Sequence, residues 1–154
     1  MVWVQMMFHL AMHLKALHEN GYAHRDLKPG NVMWQPSRNI WTLIDFGCAA
    51  RIGSMHDVAL TVAYAAPEVV AEYRKGAKKI RVHEAVDAWS LGVVAFELLT
   101  GEPAAKLWVG RQKVCARTTC IGLHFIALPT LSRFDFIFMV LGLCSRLKKK
   151  NLVY

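Results

Sequence analysis

A chain of 154 residues, 55% of them hydrophobic and carrying a net charge of +8, is long enough for one domain with a real core. Four cysteines without a CxxC pair argue against a disulfide scaffold or a paired-cysteine zinc module, and leave reduced thiols as the expectation. The charge is uneven: residues 1–105 hold ten Lys/Arg against ten Asp/Glu, whereas residues 106–154 hold nine basic residues against Asp135 alone.

In chain order, Met7, Leu10, Ala11, Leu14 and Leu17 recur at three- and four-residue steps and predict a helix with one apolar face, ended by Gly21 at C′. This first segment carries histidines and a lysine and has no small-residue cleavage site, so it does not read as a signal peptide. A short extended piece, Tyr22–His24, leads into a polar loop. Val32–Gln35 and Ile40–Ile44 are β-prone runs separated by Pro36-Ser37-Arg38-Asn39, a hairpin that returns Asp45 beside the loop carrying Asp26. Residues 46–68 show little periodicity and are expected to form an irregular, mobile segment, and residues 72–84 are read as a polar surface connection. Val86–Thr100 is apolar on nearly every side, which predicts a helix buried all round, stopped by Gly101 and Pro103.

Beyond that point the character changes. Residues 121–144 are apolar, but Pro129, Arg133 and Asp135 interrupt them, and a central charge costs about 2.5–3.5 kcal/mol on insertion scales. A membrane span needs about 20 apolar residues, more than the run Phe136–Cys144 supplies, so membrane contact through this tail is not the expected mode. Cys115, Cys120 and His124 lack the tight pairing of zinc sites. A basic end without a nucleic-acid-binding signature is read as a solvated one, and no nucleic-acid partner is expected.

The chemistry concentrates in ordered motifs: His24-Arg25-Asp26-Leu27-Lys28-Pro29-Gly30-Asn31, then Asp45-Phe46-Gly47, Ala66-Pro67-Glu68, and Asp87-Ala88-Trp89-Ser90-Leu91-Gly92. Over about residues 5–105 this series resembles the eukaryotic protein kinases, and Lys28 two after Asp26 with Thr61 seven before Glu68 resembles their serine/threonine branch. The resemblance implies an α+β, mainly helical fold like the C-terminal lobe of a kinase, truncated so that the ATP-holding N-terminal lobe is lacking. Residues 1–105 would be the partial kinase domain and residues 106–154 a basic, apolar tail of unknown fold.

By the same resemblance Asp26 is the catalytic base that orients a protein hydroxyl, Lys28 offsets charge on the transferred phosphate, and Asn31 and Asp45 hold Mg2+ with ATP. Arg25 would pair with a phosphate that orders the activation segment, with Ser54 as the candidate acceptor, and Thr61 belongs to the substrate-positioning wall. Asp87 would hydrogen-bond the backbone of the catalytic loop, and His24 would pack in the core. Asp26, Asn31 and Asp45 are expected on one solvent-facing cleft.

Departures from the family pattern are definite. The chain has no Gly-x-Gly for a phosphate-covering loop and no strand lysine or helical glutamate partner ahead of His24. Glu68, which in the family meets an arginine, would be a buried carboxylate with only Arg117, Arg133 or Arg146 as conceivable partners. The expectation is a serine/threonine kinase segment, inactive alone, in a cytoplasmic setting. The alternatives are a non-catalytic binding or regulatory fragment, or the product of a truncated gene model.

Overall fold

The computed structural model describes residues 2–103. The chain divides into two units, residues 1–94 and residues 95–154.

In the first unit, α1 spans Val2–Glu19 and buries Met6, Met7, Leu10 and Leu14; of the face marked by the sequence spacing, Ala11 and Leu17 are half-buried. Gly21 ends it at φ +81, with its N–H on the His18 carbonyl. A left-handed C′ glycine is the standard way to satisfy a helix's last carbonyls without a Cβ penalty.

The extended piece is β1, Tyr22–Ala23. The hairpin follows as read: β2 is Val32–Gln35 and β3 is Ile40–Leu43, paired antiparallel from Val32 opposite Leu43 to Gln35 opposite Ile40. Pro36–Arg38 forms a 3-10 turn between them, and Asn39 closes it at φ +53, a conformation asparagine tolerates. The Trp34 and Trp41 rings, directly opposite in register, lie 5.1 Å apart.

The segment read as irregular contains two short strands. β4, Ala50–Arg51, pairs with β1, and β5, Met55–Asp57, pairs with β6, Lys79–Arg81. Strands of two or three residues, with every β5 position exposed, have no alternation to detect. The surface connection, residues 72–84, is likewise more ordered than expected, since it holds the end of α2, which occupies Pro67–Arg74, and all of β6. Proline at the first helical position with Glu68 behind it was a legible start signal. Ala23, Ala50 and Val82 form a small buried cluster with Ile52 packed against it.

The last described element, α3, spans Ala85–Thr100. Within the first unit it buries Asp87, Ser90, Leu91, Val93 and Val94. The expectation of burial all round fails at its far end, in the second unit, where Leu98 and Thr100 are exposed. There Gly101, at φ +69 with its N–H on the Glu97 carbonyl, stops the helix as expected. No helix among the described residues is long and apolar enough to cross a membrane. The expectations for residues 106–154, including Cys115, Cys120, His124 and the apolar runs, lie outside the described residues.

Candidate active site

The loop between β1 and β2 is held from beneath by one side chain. Asp87, fully buried on α3, accepts the His24 N–H through Oδ2 at 2.8 Å and the Arg25 N–H through Oδ1 at 2.7 Å. His18, from the last turn of α1, meets the same Oδ2 through Nε2 at 2.8 Å. A buried carboxylate is tolerable when its lone pairs are filled this way. The sequence resemblance anticipated the contacts of Asp87 to the loop backbone; it did not anticipate His18.

These bonds fix an uncommon backbone, with Arg25 at φ +72. A non-glycine residue there is strained and persists only when its surroundings over-determine it. His24 supplies further constraint. Its Nδ1 accepts the Asp26 N–H at 3.3 Å, so Nε2 carries the proton and donates to the Ile44 carbonyl at 3.2 Å. The ring meets Phe46 edge-on at 5.1 Å. His24 thus ties the two loops together from a fully buried position.

Above this base the functional groups converge. Asp26 Oδ1 accepts the Thr61 hydroxyl at 2.7 Å, and Oδ2 accepts Lys28 Nζ at 2.6 Å and Asn31 Nδ2 at 3.2 Å. Lys28 also reaches Thr61 Oγ1 at 3.1 Å, and Asn31 Nδ2 is anchored on the Asp26 carbonyl at 2.8 Å. Burial works to raise the Asp26 carboxyl, but the hydrogen bonds from Lys28, Thr61 and Asn31, with the Lys28 charge, outweigh it and hold it below the usual aspartate range. It is a carboxylate fixed in place by its donors.

Asp45 arrives by a different route. The Ile44 N–H donates to the Asn31 carbonyl at 2.9 Å, which joins the end of the hairpin to the start of its first strand. Asp45 itself is exposed, at φ +60, and its Oδ1 accepts the Gly47 N–H at 3.1 Å. A Cβ on Gly47 would lie 3.2 Å from that oxygen, so the glycine is required by the close approach.

The oxygens that Asn31 and Asp45 leave over are of the type that magnesium takes. Asn31 spends its amide nitrogen on Asp26 and Asp45 spends one oxygen on Gly47, and no donor among the described residues reaches Asn31 Oδ1 or Asp45 Oδ2. Magnesium takes one or two such hard oxygens together with water and nucleotide phosphate.

Arg25, Ser54 and Glu68 lie outside this cluster. The Arg25 guanidinium bonds residues further along the chain: Nη1 lies on the Cys48 carbonyl at 3.2 Å and on His56 Nδ1 at 3.1 Å, and Nη2 is on the Asp57 carbonyl. Burial pulls its pKa down, with Cys48, Asp87 and Asp57 opposing; arginine stays charged regardless. Ser54 turns its hydroxyl to the Arg51 carbonyl at 2.6 Å. Glu68 corrects an expectation outright, because it is exposed in the first turn of α2, so no buried unpaired carboxylate has to be accommodated. A negative charge there suits the helix dipole. Its conceivable partners, Arg117, Arg133 and Arg146, lie outside the described residues.

Sequence reasoning also missed two histidines on α1. Trp41, on β3, donates its N–H to His9 Nδ1 at 3.0 Å and receives His13 Nε2 on its carbonyl at 3.1 Å. Their spacing of four on an apolar face was the available signal, since it puts both rings on one side of the helix.

With this geometry the chain matches the family described as the protein kinase domain over residues 2–126, and it belongs to that family. It is similar to human mitogen-activated protein kinase kinase kinase 19, 37% identical over 118 residues, which cover 63% of this chain and 8% of that protein. It is also similar to the serine/threonine-protein kinases ste20 of Aspergillus oryzae and shk1/pak1 of Schizosaccharomyces pombe, 39% and 40% identical over 94 residues. Those matches cover 58% of this chain and 10% and 13% of the relatives. The chain therefore spans about a tenth of the length of the curated relatives it matches.

Proposed function

We propose that this chain carries the catalytic loop of a serine/threonine protein kinase, in the arrangement of that fold's C-terminal lobe, and that its chemistry is transfer of the ATP γ-phosphate to a protein hydroxyl. The observation that carries this reading is the hydrogen-bonded cluster of Asp26, Lys28, Asn31 and Thr61. Asp26 would orient the incoming hydroxyl and take its proton; a carboxylate held below its usual range is a weak base, so orientation is the larger part of its role. Lys28 carries the positive charge that meets the transferred phosphoryl group, and Thr61 keeps both side chains aligned. Asn31 and Asp45 would hold magnesium, which when bound neutralises charge on the nucleotide's phosphates. The rest of the proposal, a protein substrate and a cytoplasmic setting, rests on the family and on unpaired cysteine spacing.

Positioning supplies most of the catalysis in phosphoryl transfer, and the 154 residues contain no Gly-x-Gly to cover the phosphates. The chain alone is therefore expected to show no ATP-dependent phosphorylation of Ser/Thr peptides above an Asp26→Asn control. Manganese, as a paramagnetic probe, should nevertheless broaden the Asn31 and Asp45 resonances selectively. Failure of that broadening would remove the metal-holding part of the reading. Asp26-dependent turnover would show that the chain needs no further nucleotide-holding element.

A further inference from the structure

Arg25 sits on the catalytic loop with only 8% of its surface exposed, and among the described residues every polar group its guanidinium reaches belongs to residues 48–57. Two of these are the backbone carbonyls of Cys48 and Asp57. The third, His56 Nδ1, is the single side-chain partner among the described residues, at 3.1 Å. A guanidinium can only donate, so Nδ1 must present its lone pair and His56 must be neutral, with its proton on Nε2. Protonation would put an N–H and a positive charge against a cation that never loses its own.

The strand that carries His56 is tied down on its other side. β5 pairs with β6 in register, Met55 opposite Arg81, His56 opposite Ile80 and Asp57 opposite Lys79. Val58 N–H to Lys78 O at 3.0 Å and Val82 N–H to Ser54 O at 2.9 Å continue the ladder at both ends. Such a short, exposed two-stranded ribbon is marginal on its own. Its attachment to the catalytic loop is the Arg25 node.

We infer that His56 is a positioning residue: its neutral imidazole latches the segment 48–58 onto Arg25 from within the chain, and gain of a proton by His56 opens the latch. The charged and titratable groups around it agree. Arg25 faces it from the catalytic loop, with Cys48 and Asp87 near that guanidinium. Asp57 is its neighbour on β5, while Lys79 and Arg81 on β6 stand opposite Asp57 and Met55 and Ile80 is directly across from His56. Among the described residues no carboxylate side chain is bonded to the imidazole. The imidazole thus links the catalytic loop to β5 through a single hydrogen bond from Arg25.

Hydrogen exchange on the 154-residue chain tests this without nucleotide or substrate, so the outcome is independent of whether the chain transfers phosphate. Protection of the Met55–Val58 amides, corrected for intrinsic rates, is compared at about pH 8 and about pH 5, the range over which histidine changes charge. Wild type should lose about tenfold in protection on acidification, the loss expected for one charge-assisted hydrogen bond. His56→Gln keeps an acceptor that does not titrate and should stay protected at both values; His56→Phe should be unprotected at both. A wild-type response flat in pH overturns the inference, as does a His56→Gln response parallel to wild type, an unprotected His56→Gln, or a His56→Phe as protected as wild type at about pH 8. If His56→Phe does not fold, the wild-type and His56→Gln comparison still decides.

Discussion

At the scale of single residues, Asp26 shows how neighbours rather than burial set a side chain's chemistry. Lys28, Thr61 and Asn31 together hold its carboxyl below the ordinary aspartate range against the opposing effect of burial. A depressed folded-state pKa contributes stability that is fully present above the unfolded value, about 3.9, and is lost as pH falls through the lower folded one. Carbon-detected NMR titration should therefore find Asp26 ionised throughout the neutral and mildly acidic range. Lys28→Met removes both a hydrogen bond and a charge, and should move the Asp26 midpoint upward; an unmoved midpoint would mean that Thr61 and Asn31 suffice. That Asp26, Lys28 and Asn31 share one loop was legible because the motif spells them out by residue type and order. The partners of Arg25 were not, since two are main-chain carbonyls and carry no side-chain signature at all.

Among the elements, the hairpin β2–β3 is the one that brings Asp45 to Asn31, and α1 is what steadies it. His9 and His13 bracket the backbone of Trp41, one accepting its N–H and the other bonding its carbonyl. His9→Leu would leave that N–H without its acceptor in a partly buried place, a loss of about 1 kcal/mol or somewhat more. Urea unfolding should register it as a lower midpoint with an unchanged slope, and His9→Asn, which retains an acceptor, should recover part of the loss. The elements themselves divide by length in what the sequence reveals. α1, α3 and the hairpin could be read from periodicity and turn residues; β4, β5 and β6 could not, because their two or three residues are chosen by pairing across the chain. α2 has its start signal in Pro67 and Glu68, but its eight residues straddle the boundary between the irregular and the polar stretch and show no clear apolar face.

Across the molecule's first unit, Asp87 is the point where distant parts of the chain meet. Its carboxylate joins α3 to the end of α1 and to two consecutive amides of the catalytic loop, over separations of 69, 63 and 62 residues. Asp87→Ala would leave those two buried N–H groups unsatisfied, and should cost about 2–5 kcal/mol in denaturant unfolding. The Arg25 backbone, left-handed without its anchor, should be the first part to relax, visible as faster exchange at His24 and Arg25 than at Leu10 or Leu14. These long separations also set an order of events during synthesis. The residues of the catalytic loop leave the ribosome some sixty positions before the carboxylate that fixes them, and closing so long a loop is entropically unfavourable until α3 is available to reward it. The loop is therefore made early and shaped late, and a nascent chain arrested short of Asp87 would carry every motif residue of that loop without the conformation that makes them a site.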